Sequence, residues 1–529
     1  MPRVRTFDPT GRQVHTASSL GASVDYGHDG QGRLQEMSCG EWSAKWLRDS
    51  VGLEAERHLT GGVHVTTRRD RFGRETFKSV GARNVEQLRR RYTWDMGNRL
   101  LVARDEITGR VARYDYDEFD NLISAEYERG GEVERLYRVP DRMGNLFETR
   151  ERDDRRYDAG GRLAEDREHF YHYDCEGNLV FKEFKELSWG GNVIAPINKE
   201  RLETEQGIRF RAFGTGWRYD WQSDGMLARV VRPDGKEVSF AYDALGRRIR
   251  KSFAGTTTHF VWDGNVPLHE WTEENEVVTW LFEQDTFVPA AKLVANGECF
   301  SIISDYLGTP LQAYDKQGNK VWEQELDIYG RQRKRPSSFI PFKYQGQYED
   351  AETGLYYNRF RYYDPNAGSY ISQDPIGLKG GNPTLYGYVG EPNSWIDVLG
   401  LSKIPAQTLQ MKWETHVGSK HTQAHIHHGF PEKFSDRFKN IADIDVNNPK
   451  YFYNLPQNKH TKKPGVHTNS SRTGRNWNRT WSGILDRVEK MNLSKSEAKE
   501  FLEARLRELA RKERISKYNS EAIKGAGKH

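Results

Sequence analysis

The stretch Tyr242-Asp243-Ala244-Leu245-Gly246-Arg247-Arg248-Ile249 shows the unit that is repeated through much of this chain. It joins an aromatic residue to an aspartate, and a glycine follows the aspartate closely. An aromatic side chain suits a half-buried strand, whereas Asp followed by Gly suits a turn in which one residue has a positive φ. The unit therefore predicts a β-hairpin whose turn begins at the aspartate.

Aromatic-Asp pairs of this kind recur along the chain. They occur at Trp94-Asp95, Tyr116-Asp117, Tyr157-Asp158, Tyr173-Asp174, Tyr219-Asp220, Tyr242-Asp243 and Trp262-Asp263. A single hairpin cannot bury its apolar face, so repeated hairpins must stack on one another. The repeats predict a long curled sheet in which the tyrosines and aspartates are structural. Sugar binding by the aromatic surfaces is the alternative.

The composition fits many short strands. The chain has 529 residues, of which 36% are hydrophobic and 12% aromatic, and it contains 49 glycines. A disordered chain would be poor in aromatic residues. Cys39, Cys175 and Cys299 are far apart and odd in number, which argues against a disulfide scaffold. No apolar run is long enough to span a membrane, and the first residues lack the apolar core of a signal peptide, so neither feature is expected.

The charge is unevenly distributed. Residues 402–529 contain 25 Lys and Arg against 13 Asp and Glu, a net charge of +12, whereas the first 401 residues carry −8. A basic C-terminal segment suits a polyanionic substrate such as a nucleic acid. A solvated basic helix surface without such a partner is the alternative.

Residues 342–401 carry the most specific pattern in the chain. It contains Glu352-Thr353-Gly354-Leu355-Tyr356-Tyr357-Asn358, Arg361-Tyr362-Tyr363-Asp364-Pro365 and Asp374-Pro375-Ile376-Gly377-Leu378, and it ends in Asp397-Val398-Leu399-Gly400-Leu401. Together with the repeats, this segment resembles the Rhs proteins, and the resemblance covers most of the first 401 residues. In that family the YD repeats form a sheet that spirals into a hollow shell around a C-terminal toxin.

The resemblance implies that the segment cleaves its own chain. By residue match, Asp374 and Asp397 are the aspartic-protease-like pair, Arg361 is their charged helper, and the cut falls between Leu401 and Ser402. Two close carboxylates that share a proton can supply a base and an acid together. Val398 stands where the family has Pro, which is expected to loosen the turn that holds the second carboxylate. A purely structural cap is the alternative.

Histidines cluster in the C-terminal segment, first in Ala424-His425-Ile426-His427-His428-Gly429-Phe430-Pro431. On a strand, His425 and His427 would lie on one face and His428 on the other. Asn454, His460 and His467 follow. An imidazole with a pKa of about 6.5 can deprotonate water near neutral pH, and neutral imidazoles also bind divalent ions.

This order of residues resembles the HNH (His-Me finger) nucleases, in particular the paired-histidine branch found in polymorphic toxins. The resemblance implies that His427 is a metal ligand, that His428 is the general base, and that Asn454 holds the base or its loop. His460, and behind it His467, would complete the site of one divalent ion, which is Zn, Ni, Mn or Mg. Pro464 and Gly465 predict a loop that could bring His467 back towards the site.

A basic and aromatic segment follows the histidines. Arg472, Arg475 and Arg479 are predicted to contact phosphates, while Trp477 and Trp481 either stack on bases or belong to the core. A capping box at Ser494 and Glu497 predicts a C-terminal helix with an apolar stripe and a basic surface.

These observations predict a mostly β protein with three domains. Residues 1–341 form a YD-repeat β shell, residues 342–401 the Rhs-core terminus with its autoproteolytic aspartates, and residues 402–529 a small α+β (ββα-metal) nuclease with a C-terminal helix. The function predicted is that of an antibacterial toxin whose self-cleaved domain is a metal-dependent DNase. The alternatives are an RNA-cleaving toxin and a non-enzymatic YD-repeat adhesion protein with a basic, nucleic-acid-binding tail.

The resemblance also implies partners and a place of action. They are the DNA substrate, a cognate immunity protein and components of a type VI secretion spike. The protein would be made in the cytoplasm, exported by that dedicated system without a signal peptide, and active in the cytoplasm of the target cell.

Overall fold

The structure is a computed structural model. It describes residues 3–189, 192–196, 201–204, 207–210, 216–333, 338–380, 382, 384–401, 404–405, 424–428, 430–431, 434–446, 451–456, 477–491 and 493–512. The chain divides into two compact units. The first comprises Met1–Gly27, Leu34–Leu47 and Glu54–Ala406, and the second comprises His28–Arg33, Arg48–Leu53 and Gln407–His529.

The N-terminal part of the chain forms one antiparallel sheet of thirteen strands, each hydrogen-bonded to the next along the sequence. Its strands are β1 (Arg3–Phe7), β2 (Gln13–Ser18), β3 (Ser23–His28), β4 (Leu34–Cys39), β5 (Trp42–Arg48), β6 (Glu54–Leu59), β7 (Val63–Arg69), β8 (Glu75–Ala82), β9 (Val85–Trp94), β10 (Leu100–Asp105), β11 (Val111–Tyr116), β12 (Leu122–Arg129) and β13 (Glu132–Tyr137).

A second antiparallel sheet has fifteen strands in sequence order, apart from two short hairpins inserted after its fourth strand. Its strands are β16 (Arg156–Asp158), β17 (Arg162–Glu165), β18 (His169–Tyr173), β19 (Leu179–Phe184), β24 (Gly216–Trp221), β25 (Leu227–Val231), β26 (Glu237–Tyr242), β27 (Arg248–Phe253), β28 (Thr256–Asp263), β29 (Val266–Trp271), β30 (Val278–Phe282), β31 (Pro289–Val294), β32 (Cys299–Ser304), β33 (Pro310–Asp315) and β34 (Lys320–Glu323).

Smaller sheets complete the strands. They are β14 (Val139–Pro140) with β15 (Leu146–Phe147), β20 (Glu186–Trp189) with β21 (Asn192–Pro196), β22 (Arg201–Thr204) with β23 (Gly207–Phe210), the four strands β35 (Tyr348–Asp350), β36 (Leu355–Asn358), β37 (Arg361–Asp364) and β38 (Ser369–Tyr370), then β39 (Trp395–Ile396) with β40 (Ile404–Pro405), and β41 (Ala424–His428) with β42 (Phe452–Pro456). Within the described ranges, the helices are α1 (Ser435–Ala442), α2 (Trp477–Val488) and α3 (Lys495–Lys512), besides short 3-10 turns at Ala159–Gly161 and Gly377–Gly380.

The aspartate of the repeat closes its hairpin through its side chain. Asp243 Oδ1 accepts hydrogen bonds from the backbone N–H groups of Leu245 and Arg247, both at 2.9 Å, and Oδ2 accepts one from Arg247 Nε at 2.8 Å. Gly246 supplies the positive φ of +72°. A short polar side chain thus satisfies the backbone donors of the turn, as the sequence pattern predicted.

The aromatic member of the repeat ties each hairpin to the one before it. The hydroxyl of Tyr242 donates to the carbonyl oxygen of Leu227 at 2.8 Å, and Trp262 Nε1 donates to that of Arg248 at 2.6 Å. The same bond recurs from Tyr116 to Leu100 and from Trp94 to Glu75. In the copies at Tyr242-Asp243, Tyr116-Asp117 and Trp94-Asp95, both residues make hydrogen bonds that hold the sheet together, so these YD residues are structural.

One copy of the repeat was predicted wrongly. Tyr219 and Asp220 lie inside strand β24 and do not begin a turn. The turn starts two residues later at Gln222, and Trp221 takes the aromatic position, donating to the carbonyl oxygen of Leu179 at 2.8 Å. A register shift falls between Asp220 and Trp221 in the pairing with β25. The same shift directly precedes Tyr242, where the pattern predicts the turn correctly. At Trp221 the turn begins with Gln222 instead of Asp, so the aromatic-Asp pattern does not detect this copy.

The two large sheets share a core in which side chains of β3–β9 pack against those of β30–β33. Trp42, on β5, is fully buried there, and its indole N–H donates to Ser301 Oγ on β32 at 3.0 Å. A second core joins β17–β19 and β24–β26 to the β36–β37 hairpin through Leu355, Tyr357 and Tyr362. Residues 342–401 are therefore packed into the first unit rather than appended to it.

Within the described residues, none of the helices combines the length and apolar character needed to cross a membrane. The mostly β architecture predicted from the sequence is confirmed.

Candidate functional site

The β36–β37 hairpin fixes the position of Arg361. Asn358 and Arg361 form the last pair before its turn, in which Arg359 has a φ of +60°. Partners across an antiparallel ladder project to the same face, as do residues two apart on one strand. Tyr363 on β37 and its partner Tyr370 on β38 therefore share the face of Asn358 and Arg361. This face is buried, and Arg361 is only 1% exposed.

Two loops bring the predicted aspartates to this arginine. Asp374 lies just after β38, and Asp397 directly follows β39. Arg361 Nη2 lies 3.1 Å from Asp374 Oδ2 and 3.3 Å from Asp397 Oδ2. All three side chains are at most 4% exposed. The structure thus brings together the three residues predicted for self-cleavage, with one guanidinium nitrogen between two carboxylates.

The two carboxylates have different surroundings. Burial raises the pKa of the Asp374 carboxyl, Arg361 partly offsets this, and the negative charge of Asp397 adds to the rise. Asp397 accepts additional hydrogen bonds from Leu401 N–H at 2.9 Å and from the Tyr370 hydroxyl at 3.0 Å. Hydrogen bonds to a carboxylate favour its charged form, whereas burial favours the neutral acid. The raised pKa therefore suits Asp374 to hold a proton.

The end of the segment is held against the same hairpin. Arg361 Nε donates to the carbonyl oxygen of Gly400, and Phe360 N–H donates to that of Leu399 at 3.3 Å. Gly400 has a φ of +68°, and a Cβ added to it would lie 2.6 Å from the backbone oxygen of Asn358. Only glycine fits this close approach without strain. Leu401, the residue before the predicted cut, is thereby placed beside Asp397.

The turn at Val398 is fixed by contacts with other segments. Its carbonyl oxygen lies 2.1 Å from the point where a Cβ on Gly346 would be, so that glycine is needed for the approach. The Val398 side chain is 8% exposed and packs with Leu307 and Ile396. These contacts stabilise the turn without the conformational restriction of a proline.

Sequence reasoning missed Asn358 and Tyr370 as members of this site. Asn358 Nδ2 donates to the carbonyl oxygen of Asp397 and to the Tyr370 hydroxyl, both at 2.7 Å. Alternation along the hairpin could have placed Asn358 beside Arg361, had the turn been located. Tyr370 depends on the pairing of β37 with β38, which the sequence alone does not reveal.

The paired histidines of the predicted site lie on a two-stranded ribbon in the second unit. β41 pairs with β42 in antiparallel register, with Ile426 opposite Asn454, His427 opposite Tyr453 and His428 opposite Phe452. By this register His428 and Asn454 stand on one face of the ribbon, and His425 and His427 on the other. The predicted strand at the paired histidines is present.

Several predicted site residues lie outside the described residues. They are Ser402, His460, His467, Arg472 and Arg475, as are the side chains of His427, His428, Asn454 and Arg479. Among the described residues, no group of three or more His, Cys, Asp or Glu side chains could hold a metal ion. The metal site and the arginine contacts therefore stay predictions.

Three helices pack on one core in the second unit. Trp477 and Trp481 are 2% and 0% exposed and belong to this core together with Phe430, Phe438 and Tyr453. They are thus core residues rather than base-stacking ones. The capping box is confirmed, because Ser494 N–H donates to Glu497 Oε2 at 2.9 Å and Glu497 N–H donates back to Ser494 Oγ at 3.3 Å. Leu502, Leu506 and Leu509 are buried as predicted for the apolar stripe of α3.

Known proteins resemble this chain. Residues 206–379 match the Teneurin YD-shell family. The chain is 28% identical over 447 residues to the double-stranded DNA deaminase toxin A of Burkholderia cenocepacia, with 74% of this chain and 29% of the relative covered. It is 27% identical over 389 residues to the probable deoxyribonuclease RhsA of Dickeya dadantii, with 66% and 25% covered. The chain thus spans less than a third of the length of either relative.

Among solved structures, the TcdB2-TccC3-TEV crystal structure matches 75% of this chain and 25% of its own, at 17% identity and a TM-score of 0.43. The YD-shell match and the named relatives show that this chain is similar to YD-repeat and Rhs proteins.

Proposed function

We propose that this chain is an Rhs-type toxin that cuts itself between Leu401 and Ser402 and so frees a C-terminal nuclease. The observation that carries the first step is the position of Arg361 Nη2, within 3.3 Å of a carboxylate oxygen of both Asp374 and Asp397. A structural cap does not need two buried carboxylates around one guanidinium, because burying charge is costly. An aspartic-protease-like site does need two carboxyl groups, because one acts as the base and the other as the acid.

The two aspartates have separate roles in the proposed step. Asp397 takes a proton from a water molecule, and the water oxygen attacks the carbonyl carbon of Leu401. Asp374, whose pKa is raised by burial, gives its proton to the nitrogen of Ser402 as the C–N bond breaks. Arg361 orients both carboxylates and, through Gly400, the chain that is cut. The products are a carboxyl group on Leu401 and an amino group on Ser402.

Gel electrophoresis of the purified full chain tests this step. The wild-type chain should give two fragments, whereas Asp374→Asn and Asp397→Asn should each give one full-length band. Asp315→Asn is the matched control, because Asp315 only closes a hairpin turn, accepting from Gln317 and Asn319 N–H at 2.9 and 2.8 Å. A wild-type chain that stays intact, or cleavage that survives both substitutions, would contradict the proposal.

We infer that the released domain is a metal-dependent endonuclease acting on DNA. Three observations support this: the paired histidines on the β41–β42 ribbon, the net charge of +12 on residues 402–529, and the names of the two relatives, both of which concern DNA. His428 would take the proton from water, and Asn454, on the same face of the ribbon, would hold the base or its loop.

The remaining residues of the proposed nuclease bind the metal and the substrate. His427, His460 and His467 would hold one divalent ion, which is Zn, Ni, Mn or Mg. When bound, the ion neutralises charge that builds up on the phosphate oxygens. Arg472, Arg475 and Arg479 would contact the phosphates of the substrate.

A plasmid assay tests the nuclease. The self-cleaved protein should nick plasmid DNA, EDTA should stop it, and His428→Ala should abolish it, while His416→Ala, a histidine outside the motif, should not. Cleavage of tRNA or rRNA with intact plasmid would favour the RNA-cleaving alternative. Binding of nucleic acid without cleavage would favour the non-enzymatic adhesion protein.

The proposed biology follows from the family. The chain would be made in the cytoplasm, delivered by a type VI spike without a signal peptide, and active in the cytoplasm of the target cell. A cognate immunity protein would protect the producing cell. Co-expression rescue by a neighbouring open reading frame tests this partner, since a nuclease that stays lethal with every such neighbour would contradict it.

A further inference from the structure

Tyr370 and Asn358 form a hydrogen-bonded chain that ends on Asp397. We propose that this pair positions the carboxylate of Asp397 against the peptide bond to be cut, so that both residues set the rate of self-cleavage by holding that carboxylate in place. This inference rests on the proposed cleavage between Leu401 and Ser402. It concerns two residues that the sequence pattern did not single out.

The direction of the hydrogen bonds is fixed by chemistry. The carbonyl oxygen of Asp397 can only accept, so the atom of the Asn358 amide that faces it at 2.7 Å is the NH₂ group. The same NH₂ group donates its second proton to the Tyr370 oxygen at 2.7 Å. The single proton of the Tyr370 hydroxyl is then left to donate to Asp397 Oδ2 at 3.0 Å. The chain therefore runs from amide to hydroxyl to carboxylate.

The pair holds both ends of residue 397. Asn358 binds its backbone carbonyl, and Tyr370 binds its carboxylate. Asp397 Oδ1 accepts from Leu401 N–H, so a rotation of the carboxylate would also move the residue before the cut. Small displacements of a reacting group reduce rates strongly, because the attack needs a narrow range of geometry.

The charged and titratable groups around Tyr370 keep it a donor. The Arg361 guanidinium stacks on its ring at 3.7 Å, and the rings of Tyr363 and Tyr388 lie 5.8 and 6.1 Å away. Burial, followed by the charge of Asp397, raises the pKa of Tyr370 far above its usual value, although Arg361 opposes this. The hydroxyl thus stays protonated throughout the pH range in which the aspartates titrate.

The oxygen of the Asn358 amide is unpaired. Asn358 is fully buried, and its Oδ1 has no hydrogen-bond partner among the described residues. Buried polar atoms are usually paired, so this orientation of the amide needs an explanation. The amide is therefore placed for the two bonds of its NH₂ group, at the expense of its oxygen.

Tyr370→Phe tests the pair, because it removes one hydroxyl and keeps the ring. The full chain is recovered uncleaved from inclusion bodies in denaturant, refolded by dilution between pH 4 and 9, and sampled on gels to obtain the rate of cleavage at each pH. The lost hydrogen bond is one that favours the charged form of a carboxylate, so cleavage should slow most on the acid side of the rate profile. Asn358→Ala should slow cleavage about tenfold or more at every pH.

Tyr363→Phe is the matched control. Tyr363 lies on the same buried face, and its hydroxyl donates to the carbonyl oxygen of Tyr329 at 2.8 Å rather than to an aspartate. Its loss should lower the melting temperature without moving the pH profile. An unchanged profile in Tyr370→Phe together with an unchanged rate in Asn358→Ala would overturn this inference but leave the cleavage itself standing. A wild-type chain that never cleaves would overturn both.

Discussion

Replacing Arg361 by Met should strongly destabilise the region around the aspartates. The substitution keeps a long apolar side chain but leaves two buried carboxylates without their cation. Removing one partner of a buried ion pair costs about 3–5 kcal/mol. The donated bonds to Gly400 and Leu385 are lost as well. Part of the cost is avoided because Asp374, whose pKa is already raised, can take up a proton.

The sign of the pH dependence follows from that proton. With Arg361 gone, the folded-state pKa of Asp374 rises further above its unfolded value. Stability is then retained at low pH and lost as the pH rises through the raised pKa. At pH 7.5 the free energy of unfolding of Arg361→Met should therefore be lower than that of Asp374→Asn by about 3 kcal/mol or more. At pH 5 this difference should be smaller.

Denaturant unfolding followed by tryptophan fluorescence measures this difference between two chains that are both expected to stay uncleaved. Arg359→Met is the control, since Arg359 is buried and donates to the carbonyl oxygens of Gly246 and Leu245 but lies against no aspartate. The decrease in the free energy of unfolding caused by Arg359→Met should not depend on pH. If Arg361→Met proved as stable as Asp374→Asn at pH 7.5, the guanidinium would not be the cation that holds this site together.

Three further outcomes are expected. Gly400→Ala should slow self-cleavage about tenfold or more on a gel time course, because the new Cβ would lie 2.6 Å from the backbone oxygen of Asn358. Gly255→Ala is the control and should leave the rate unchanged, because a Cβ on Gly255 would meet nothing within 4 Å. Asp243→Ala should lower the free energy of unfolding by roughly 2 kcal/mol, because the turn loses its hydrogen bonds. Asp243→Asn keeps the accepting Oδ1, so an equal decrease in both variants would argue against this cause. Burial lowers the pKa of His269 to about 4, so the stability that the neutral imidazole contributes is present above pH 6.5 and lost as the pH falls. Between pH 7 and 4 the free energy of unfolding of the wild type should fall by about 3 kcal/mol relative to that of His269→Gln. Parallel curves of unfolding free energy against pH would refute this.

The sheet could be predicted from the sequence because each repeat contains its own turn. An aspartate, a residue with positive φ and a partner four residues on are local features, and Asp243, Gly246 and Arg247 fulfil them. The error at Tyr219-Asp220 has a local cause. Gln222 begins the turn where the other copies have Asp, so an aromatic-Asp pattern does not detect it, although Gly225 supplies the positive φ.

The candidate cleavage site was predicted only in part. Asp374, Asp397 and Arg361 came from a family resemblance, and the structure places them together. Tyr370 and Asn358 reach Asp397 through pairings between β36, β37 and β38, which spacing along the chain does not reveal. For the histidines, the sequence predicted a strand at 425–428, and the pairing with β42 adds that His428 and Asn454 share a face.

Mass spectrometry of chain that is recovered uncleaved from inclusion bodies and refolded in ¹⁸O-labelled water tests the proposed cut. We expect two species whose masses correspond to chain ends at Leu401 and Ser402, with one atom of ¹⁸O in the new carboxyl group of the larger fragment. A single species with the full-length mass, or two fragments that result from a cut at another peptide bond, would contradict the proposed self-cleavage between Leu401 and Ser402.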